Sequence, residues 1–279
     1  MSAIGRVFMA VGTLMLLFVA YELWGTGISE ARSQKDLGHE FKQAQAKAPP
    51  VNEATTLDPP ALPAGGAVAV IKIPKIGVEK TVVQGVGVPD LKKGPGHYPD
   101  TPMPGQQGNA AIAGHRTTYG APFYNLDQLK PSDPILITTL QGSFRYEVMD
   151  TQIVRPSEVS VLDNTPDNRL TLTTCHPRFS ASSRMVVTAK LIGVALPAPP
   201  PDTSTAQPAT DPAGLSGGTT ARGPAVMWGL AFAAIWAGAY GVRRWIGHKW
   251  IVWAVAAIPM AVTLFIFFEN FQRLLPANV

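Results

Sequence analysis

Three long apolar runs set the first constraint on this chain. Ile4 to Trp24 carries only Arg6 before Glu22, and Pro224 to Val242 and Trp250 to Phe268 carry no charge at all. Each approaches the ~20 residues with which a helix crosses the hydrocarbon of a bilayer. Runs of that length with almost no polar face are poor candidates for ordinary core helices, which keep a polar side toward water. The first run admits two fates, a cleaved signal peptide or a retained anchor. No small-x-small cleavage pattern follows Trp24, which favours the anchor. Arg243, Arg244 and Lys249 crowd the turn between the last two runs, and Arg6 stands near the N-terminus. Basic residues mark the cytoplasmic side. The chain is therefore predicted to have three transmembrane α-helices, with the N-terminus and the turn inside, and everything from about 25 to 223 outside.

Between the spans lies one folded unit with a tether on each side. The predicted order is an anchor over 1–24, a linker over 25–66, a folded unit over 67–193, a Pro/Ala/Thr-rich linker over 194–223, a membrane hairpin over 224–268 and a short tail over 269–279. The first linker has helical character from Ser29 to Lys47 and reads as extended after Pro49 and Pro50. The second has too few large apolar residues to form a core. In the folded unit, short β-rich runs follow one another: Ala67 to Ile73, Lys80 to Val83, Asn109 to Ala113, Pro134 to Thr139, Phe144 to Val154, Leu170 to Cys175 and Arg184 to Ile192. Gly and Pro clusters separate them. Strands at this density predict a closed or nearly closed barrel, because an open sheet would expose long edges. The unit's 13 basic and 10 acidic residues give no basic surface of the kind nucleic acid requires.

A single cysteine cannot form an internal disulfide, so it is either inert packing or a thiol kept for its chemistry. Strand alternation bears on the choice. In Leu170 to Cys175 the two leucines face one side, while Thr171, Thr173 and Cys175 face the other. A structural cysteine fits the leucine face better. Three histidines in the unit are candidate bases for the thiol. His176 is adjacent in sequence but points to the opposite face if the strand continues. His115 stands where an apolar strand runs into a loop, a favoured place for functional side chains. His97 reads as a loop residue that could line a groove. Arg184, on the face opposite Met185 and Val187, is either a solvated strand-end cation or a stabiliser of thiolate or oxyanion.

Thr171-Leu172-Thr173-Thr174-Cys175 followed by Arg184 resembles the signature of sortases, and Ala113-Gly114-His115-Arg116 resembles the segment bearing their catalytic histidine. Ile71-Lys72-Ile73-Pro74-Lys75-Ile76 is similar to their first barrel strand. Tyr119-Gly120-Ala121-Pro122-Phe123, Leu126-Asp127-Gln128-Leu129 and Cys175-His176-Pro177-Arg178-Phe179-Ser180 look most like class E. Asp58-Pro59-Pro60 lacks the aromatic residue of a class C lid, and two C-terminal spans depart from the single anchor of simpler members.

The resemblance implies a mostly β fold, a closed eight-stranded sortase-type barrel with short helices, held outside the membrane of a Gram-positive cell. It implies a cysteine transpeptidase that cleaves a Leu-Ala/Pro-x-Thr-Gly sorting signal between Thr and Gly and passes the acyl group to a peptidoglycan precursor amine. Cys175 would be the nucleophile, as thiolate. His115 would move the proton, and Arg184 would hold the substrate backbone and oxyanion. Thr174, Tyr98 and Tyr119 are candidate substrate-binding residues. The partners would be sorting-signal-bearing surface proteins, the wall precursor and membrane lipid. No cofactor is expected, and no metal-ligand spacing stands out. Three alternatives remain: a pilin polymerase with a lysine nucleophile, a hydrolytic cysteine peptidase, and a tethered β-barrel adaptor with a chance cysteine. Leu62-Pro63-Ala64-Gly65-Gly66 also resembles a sorting motif, with Ala where Thr is expected. It reads as a poor pseudo-substrate or as a plain linker.

Overall fold

The computed structural model describes residues 3–48, 64–197, 222–245 and 249–271. The extended half of the first linker with Asp58-Pro59-Pro60, Leu62 and Pro63 of the pseudo-substrate motif, most of the second linker, His248, and the tail beyond Phe271 lie outside the described residues. Two compact units emerge.

The larger unit contains eight strands: β1 (Ala67–Ile73), β2 (Val78–Gln84), β3 (Gly96–His97), β4 (Asn109–Ala113), β5 (Pro134–Thr139), β6 (Gly142–Val154), β7 (Arg169–His176) and β8 (Ser183–Ile192). They close into a barrel in the order β1-β2-β3-β4-β7-β8-β6-β5. All seven predicted strand runs are present. The eighth strand is the two-residue β3, so His97 is a barrel residue and not a loop residue. Two residues are too short to show alternation, and the flanking Gly94-Pro95-Gly96 and Pro99 read as loop. β3 runs parallel to β2 and antiparallel to β4, joining two halves that would otherwise have open edges. Between β1 and β2 the chain makes a 3-10 turn, Pro74–Ile76, that ends on Gly77 at φ 67°, a left-handed position that glycine occupies without a Cβ clash.

The barrel interior is filled from every long strand. Ile71 and Ile73, Ala110 and Ile112, Ile135 and Ile137, Leu170 and Leu172, and Met185 and Val187 form one cluster with Phe123 and Tyr146. Removing one such leucine side chain costs about 2–5 kcal/mol. The opposite face of β4 and β7 is also covered. Ala111 and Ala113 pack there with Val86, Leu91 and Tyr98, contributed by the chain around the short helix α3 (Val88–Leu91). The face expected to be merely polar is thus a second, smaller buried layer. That layer positions the site.

The stretch read as a first linker holds more than a tether. A helix, α2 (Thr26–Lys47), lies against β1 and β2, with Leu37 and Phe41 packed on Ala67 and Val83. Gln34 anchors it further: its carboxamide donates to the carbonyls of Thr81 and Lys93 and accepts from the Thr81 N–H. The apolar residues of α2 are few enough that its composition reads as solvated. The two large apolar residues it buries, Leu37 and Phe41, fall four apart and share one face.

The second unit contains α1 (Ala3–Ala20), α4 (Arg222–Val242) and α5 (Lys249–Phe271). Ala239 packs with Val252 and Ala256, and Phe18 meets Phe268 and Phe271 edge-on at ring distances of 5.2 and 5.4 Å. Among the described residues two helical segments are long and apolar enough to cross a membrane, Gly223–Val242 and Trp250–Phe271, not the three expected. The N-terminal run is divided. Its apolar helix stops at Ala20, and a π-helical turn, Tyr21–Gly25, takes in Glu22 and Trp24.

Candidate active site

The site follows from strand register. β4 and β7 are parallel neighbours with Ala113 opposite Thr173, and the pairing continues one step as the Gly114 N–H donates to the Thr173 carbonyl at 3.0 Å. Two residues beyond Ala113 and Thr173 stand His115 and Cys175. On the other side of β7, Cys175 pairs directly with Arg184 of β8. Residues 60 and 9 positions from the cysteine are thereby brought into one row across three neighbouring chain segments. Side chains alternate as expected, with Leu170 and Leu172 in the barrel core and Cys175 in a narrow cleft with Leu91, Ala113, Gly114, Thr173, Thr174 and Arg184.

All three members of the row are buried: His115 is 4% exposed, Cys175 6% and Arg184 2%. Burial, with the Lys92 ammonium as a lesser contributor, pushes the His115 imidazole down to about 4. At neutral pH the ring is therefore uncharged and able to accept a proton. Its Nδ1 makes a long contact, 3.4 Å, with the Thr118 hydroxyl, and its ring lies 5.1 Å from that of Tyr119. The Arg184 guanidinium donates through Nη1 to the carbonyls of Ala181 and Ser183 at 3.0 and 3.2 Å. Those bonds hold it against the β7–β8 connection. A solvated strand-end arginine would not be sealed in this way.

The candidate substrate residues surround this row. The Thr174 hydroxyl donates to the Gly114 carbonyl at 2.7 Å, tying the cysteine strand to the histidine strand. Tyr98 is buried, with its hydroxyl 3.2 Å from Thr173 Oγ1, and burial raises its phenol to about 12. Tyr119 is buried beside His115. His97 stands apart from the row. The Gln84 carboxamide lies 3.0 Å from its Nδ1 and the Pro102 carbonyl 3.0 Å from its Nε2. His176, as alternation requires, is not on the cysteine's side of the strand. Its Nδ1 is 3.2 Å from Arg116.

Arg116 is the residue that sequence reading misses. Buried directly after His115, it donates through Nη1 to the Cys175 carbonyl at 3.1 Å, and Nη2 lies 3.1 Å from Asp127 Oδ1. Asp127 is shared with Arg178, whose guanidinium stacks on Tyr124 at 4.5 Å. One cation thus fastens the residue after the histidine to the backbone of the cysteine. Its signal in the sequence is a charge three residues past the end of an apolar strand, inside the Ala113-Gly114-His115-Arg116 segment.

The chain is similar to known proteins. The family model described as the sortase domain matches residues 71–192. Sortase SrtE1 of Streptomyces coelicolor is 34% identical over 206 residues, covering 68% of this chain and 56% of that protein. Sortase D of Bacillus subtilis is 35% identical over 114 residues, 40% of this chain and 56% of that protein. The chain therefore spans a little over half the length of these curated relatives. Among solved structures, a sortase D5 transpeptidase of Clostridium perfringens is 35% identical, with a TM-score of 0.52, over 58% of this chain and 99% of that one.

Proposed function

Because this chain belongs to the sortase family, we propose that it is a membrane-anchored cysteine transpeptidase of class E type, with Cys175, His115 and Arg184 as its catalytic residues. The observation that carries this reading is the row itself: a thiol, a neutral imidazole and a guanidinium in adjacent register positions, shielded from water. In the first half-reaction the Cys175 sulfur attacks the carbonyl carbon between Thr and Gly of a Leu-Ala/Pro-x-Thr-Gly signal. Its proton passes to His115, whose low proton affinity in the buried state makes the resulting imidazolium a strong acid. That proton goes to the departing glycine amine as the C–N bond breaks, leaving a thioester on Cys175. An incoming amine of a peptidoglycan precursor then attacks the thioester, loses its proton through His115, and expels Cys175 as thiol. Arg184 stabilises the oxyanion of both tetrahedral intermediates. Thr174, Tyr98 and Tyr119 form the walls against which the signal peptide lies.

The anchoring proposed here uses the two C-terminal helices as a membrane hairpin, with the barrel outside the cytoplasmic membrane. The decisive experiment incubates the full chain in detergent micelles with a fluorescence-quenched Leu-Ala-Gln-Thr-Gly peptide and diglycine, followed by mass spectrometry. A thioester on Cys175 and a peptide–diglycine product are expected. Hydrolysis that added diglycine does not suppress would make the protein a peptidase instead. For the topology, a Gly247→Cys variant in a Cys175→Ala background should stay unlabelled by a membrane-impermeant maleimide in intact cells. Labelling there would reverse the hairpin.

A further inference from the structure

The loop carrying His115 leaves β4 and turns through three successive residues in the left-handed region: Tyr119 at φ 48°, Gly120 at φ 73° and Ala121 at φ 43°. Two of the three have a Cβ, so the conformation is unfavourable by itself and persists because its surroundings enforce it. Those surroundings include α2. The buried Thr26 hydroxyl donates to the Glu22 carbonyl at 2.8 Å and accepts from the Tyr119 N–H at 3.2 Å. With its proton committed to Glu22, its lone pairs are turned toward Tyr119.

Four residues along the same helix face, the buried Glu30 lies directly behind Gly120. A Cβ added at 120 would stand 2.5 Å from Glu30 Oε2. The carboxylate is itself fixed by the Lys80 ammonium of β2, 2.6 Å away. From the held backbone the Tyr119 ring reaches back to the His115 imidazole, with the Lys92 ammonium 5.5 Å from the same ring. Helix, loop and imidazole are thus connected by contacts at each step.

We propose that Thr26 and Glu30 of α2 are positioning residues for His115, holding Tyr119 and Gly120, and through them the imidazole, in the geometry that proton transfer needs. This rests on the reading of His115 as the proton carrier. Neither residue reaches the row, and because Tyr119 also lines the path of the signal peptide, their effect on turnover exceeds a smaller effect on peptide binding.

The test uses the full chain in detergent micelles with the quenched Leu-Ala-Gln-Thr-Gly peptide and diglycine, beside thermal unfolding of each variant. Thr26→Val, nearly the same in shape, should lower kcat about tenfold with KM within about twofold in protein that is still folded at the assay temperature, and Thr26→Ser should restore kcat. Glu30→Gln, which keeps the bulk behind Gly120 and loosens the ion pair, should lower kcat about threefold. Wild-type kcat in Thr26→Val overturns the proposal. So does a loss that Thr26→Ser fails to recover, or one no larger than the fraction of molecules unfolded at the assay temperature. His115→Ala, run alongside, should abolish turnover whatever Thr26 does. Retained turnover there would remove the reading of His115 itself, and the role of Thr26 with it.

Discussion

His97 and His115 lie on neighbouring seams of the same barrel, and burial pushes both imidazoles down to about 4. Their surroundings nevertheless differ in kind. His97 sits where β2, β3 and β4 meet, with a polar group 3.0 Å from each ring nitrogen, and its Nε2–H donates to the Pro102 carbonyl. His115 has a long hydroxyl contact at one nitrogen, an aromatic ring beside it, and register neighbours that are a thiol and a guanidinium. A buried histidine with a depressed proton affinity is therefore not in itself a site. Saturation of its nitrogens makes one of them a fastener, and placement beside a thiol and a guanidinium suits the other to the proton transfer proposed for it.

The widest separation between the two comes from removing each in turn. Cys175→Ala and His115→Ala should each lower transpeptidation by a factor of about a thousand or more, with circular dichroism and unfolding midpoints close to wild type. His97→Gln should do the reverse: turnover per folded molecule is kept, while a buried hydrogen-bonded group is lost and stability drops by about 1–3 kcal/mol in urea titration. Loss of turnover in a folded His97→Gln protein would erase the distinction.

Arg184→Lys sharpens the comparison on the reactive side. A lysine keeps the charge but not the planar fork that can hold a carbonyl carbon's developing oxyanion while remaining bonded to Ala181 and Ser183. Steady-state turnover should fall about a hundredfold. Near-wild-type turnover would reduce Arg184 to a source of field. Arg116→Lys should cost less, about tenfold in kcat. One ammonium cannot serve the Cys175 carbonyl and Asp127 in the same directions, but it touches no reacting atom.

The sequence makes one side of this comparison far more legible than the other. Leu170 to Cys175 alternates cleanly, so the face of Cys175 and the opposite face of His176 can be read from a period of two, and the end of an apolar strand marks His115. Arg184 follows from the same alternation on β8. What escapes is whatever depends on contacts distant in sequence. The two residues of β3 are too few to show a period, so His97 reads as loop. Arg116 is an ordinary surface-type charge until Cys175 and Asp127 close around it. Most of all, α2 reads as a tether because the large apolar residues on its buried face are only Leu37 and Phe41. Gln34, Thr26 and Glu30, which complete its docking, are polar residues whose partners lie on β2 and around residues 93 and 119. Polar docking leaves no periodic trace.

A last effect concerns acid stability, and it treats the two histidines alike. Each has a folded value near 4 against an ordinary value of 6.5. Above pH 6.5 both are neutral folded and unfolded, and neither makes stability depend on pH. Between 6.5 and 4 the unfolded chain takes up protons that the folded chain refuses, so stability falls as the solution is acidified and levels off below 4. Each group contributes a slope of at most about 1.4 kcal/mol per pH unit. Urea midpoints of the full chain in micelles, measured from pH 7.5 to 4, should fall less steeply with acidification in His97→Gln than in the unsubstituted protein. His115→Gln should likewise make the fall less steep while also removing turnover. A slope that neither substitution changes would mean that the imidazoles are reached by water before the barrel opens, and the shared burial on which the comparison stands would fail.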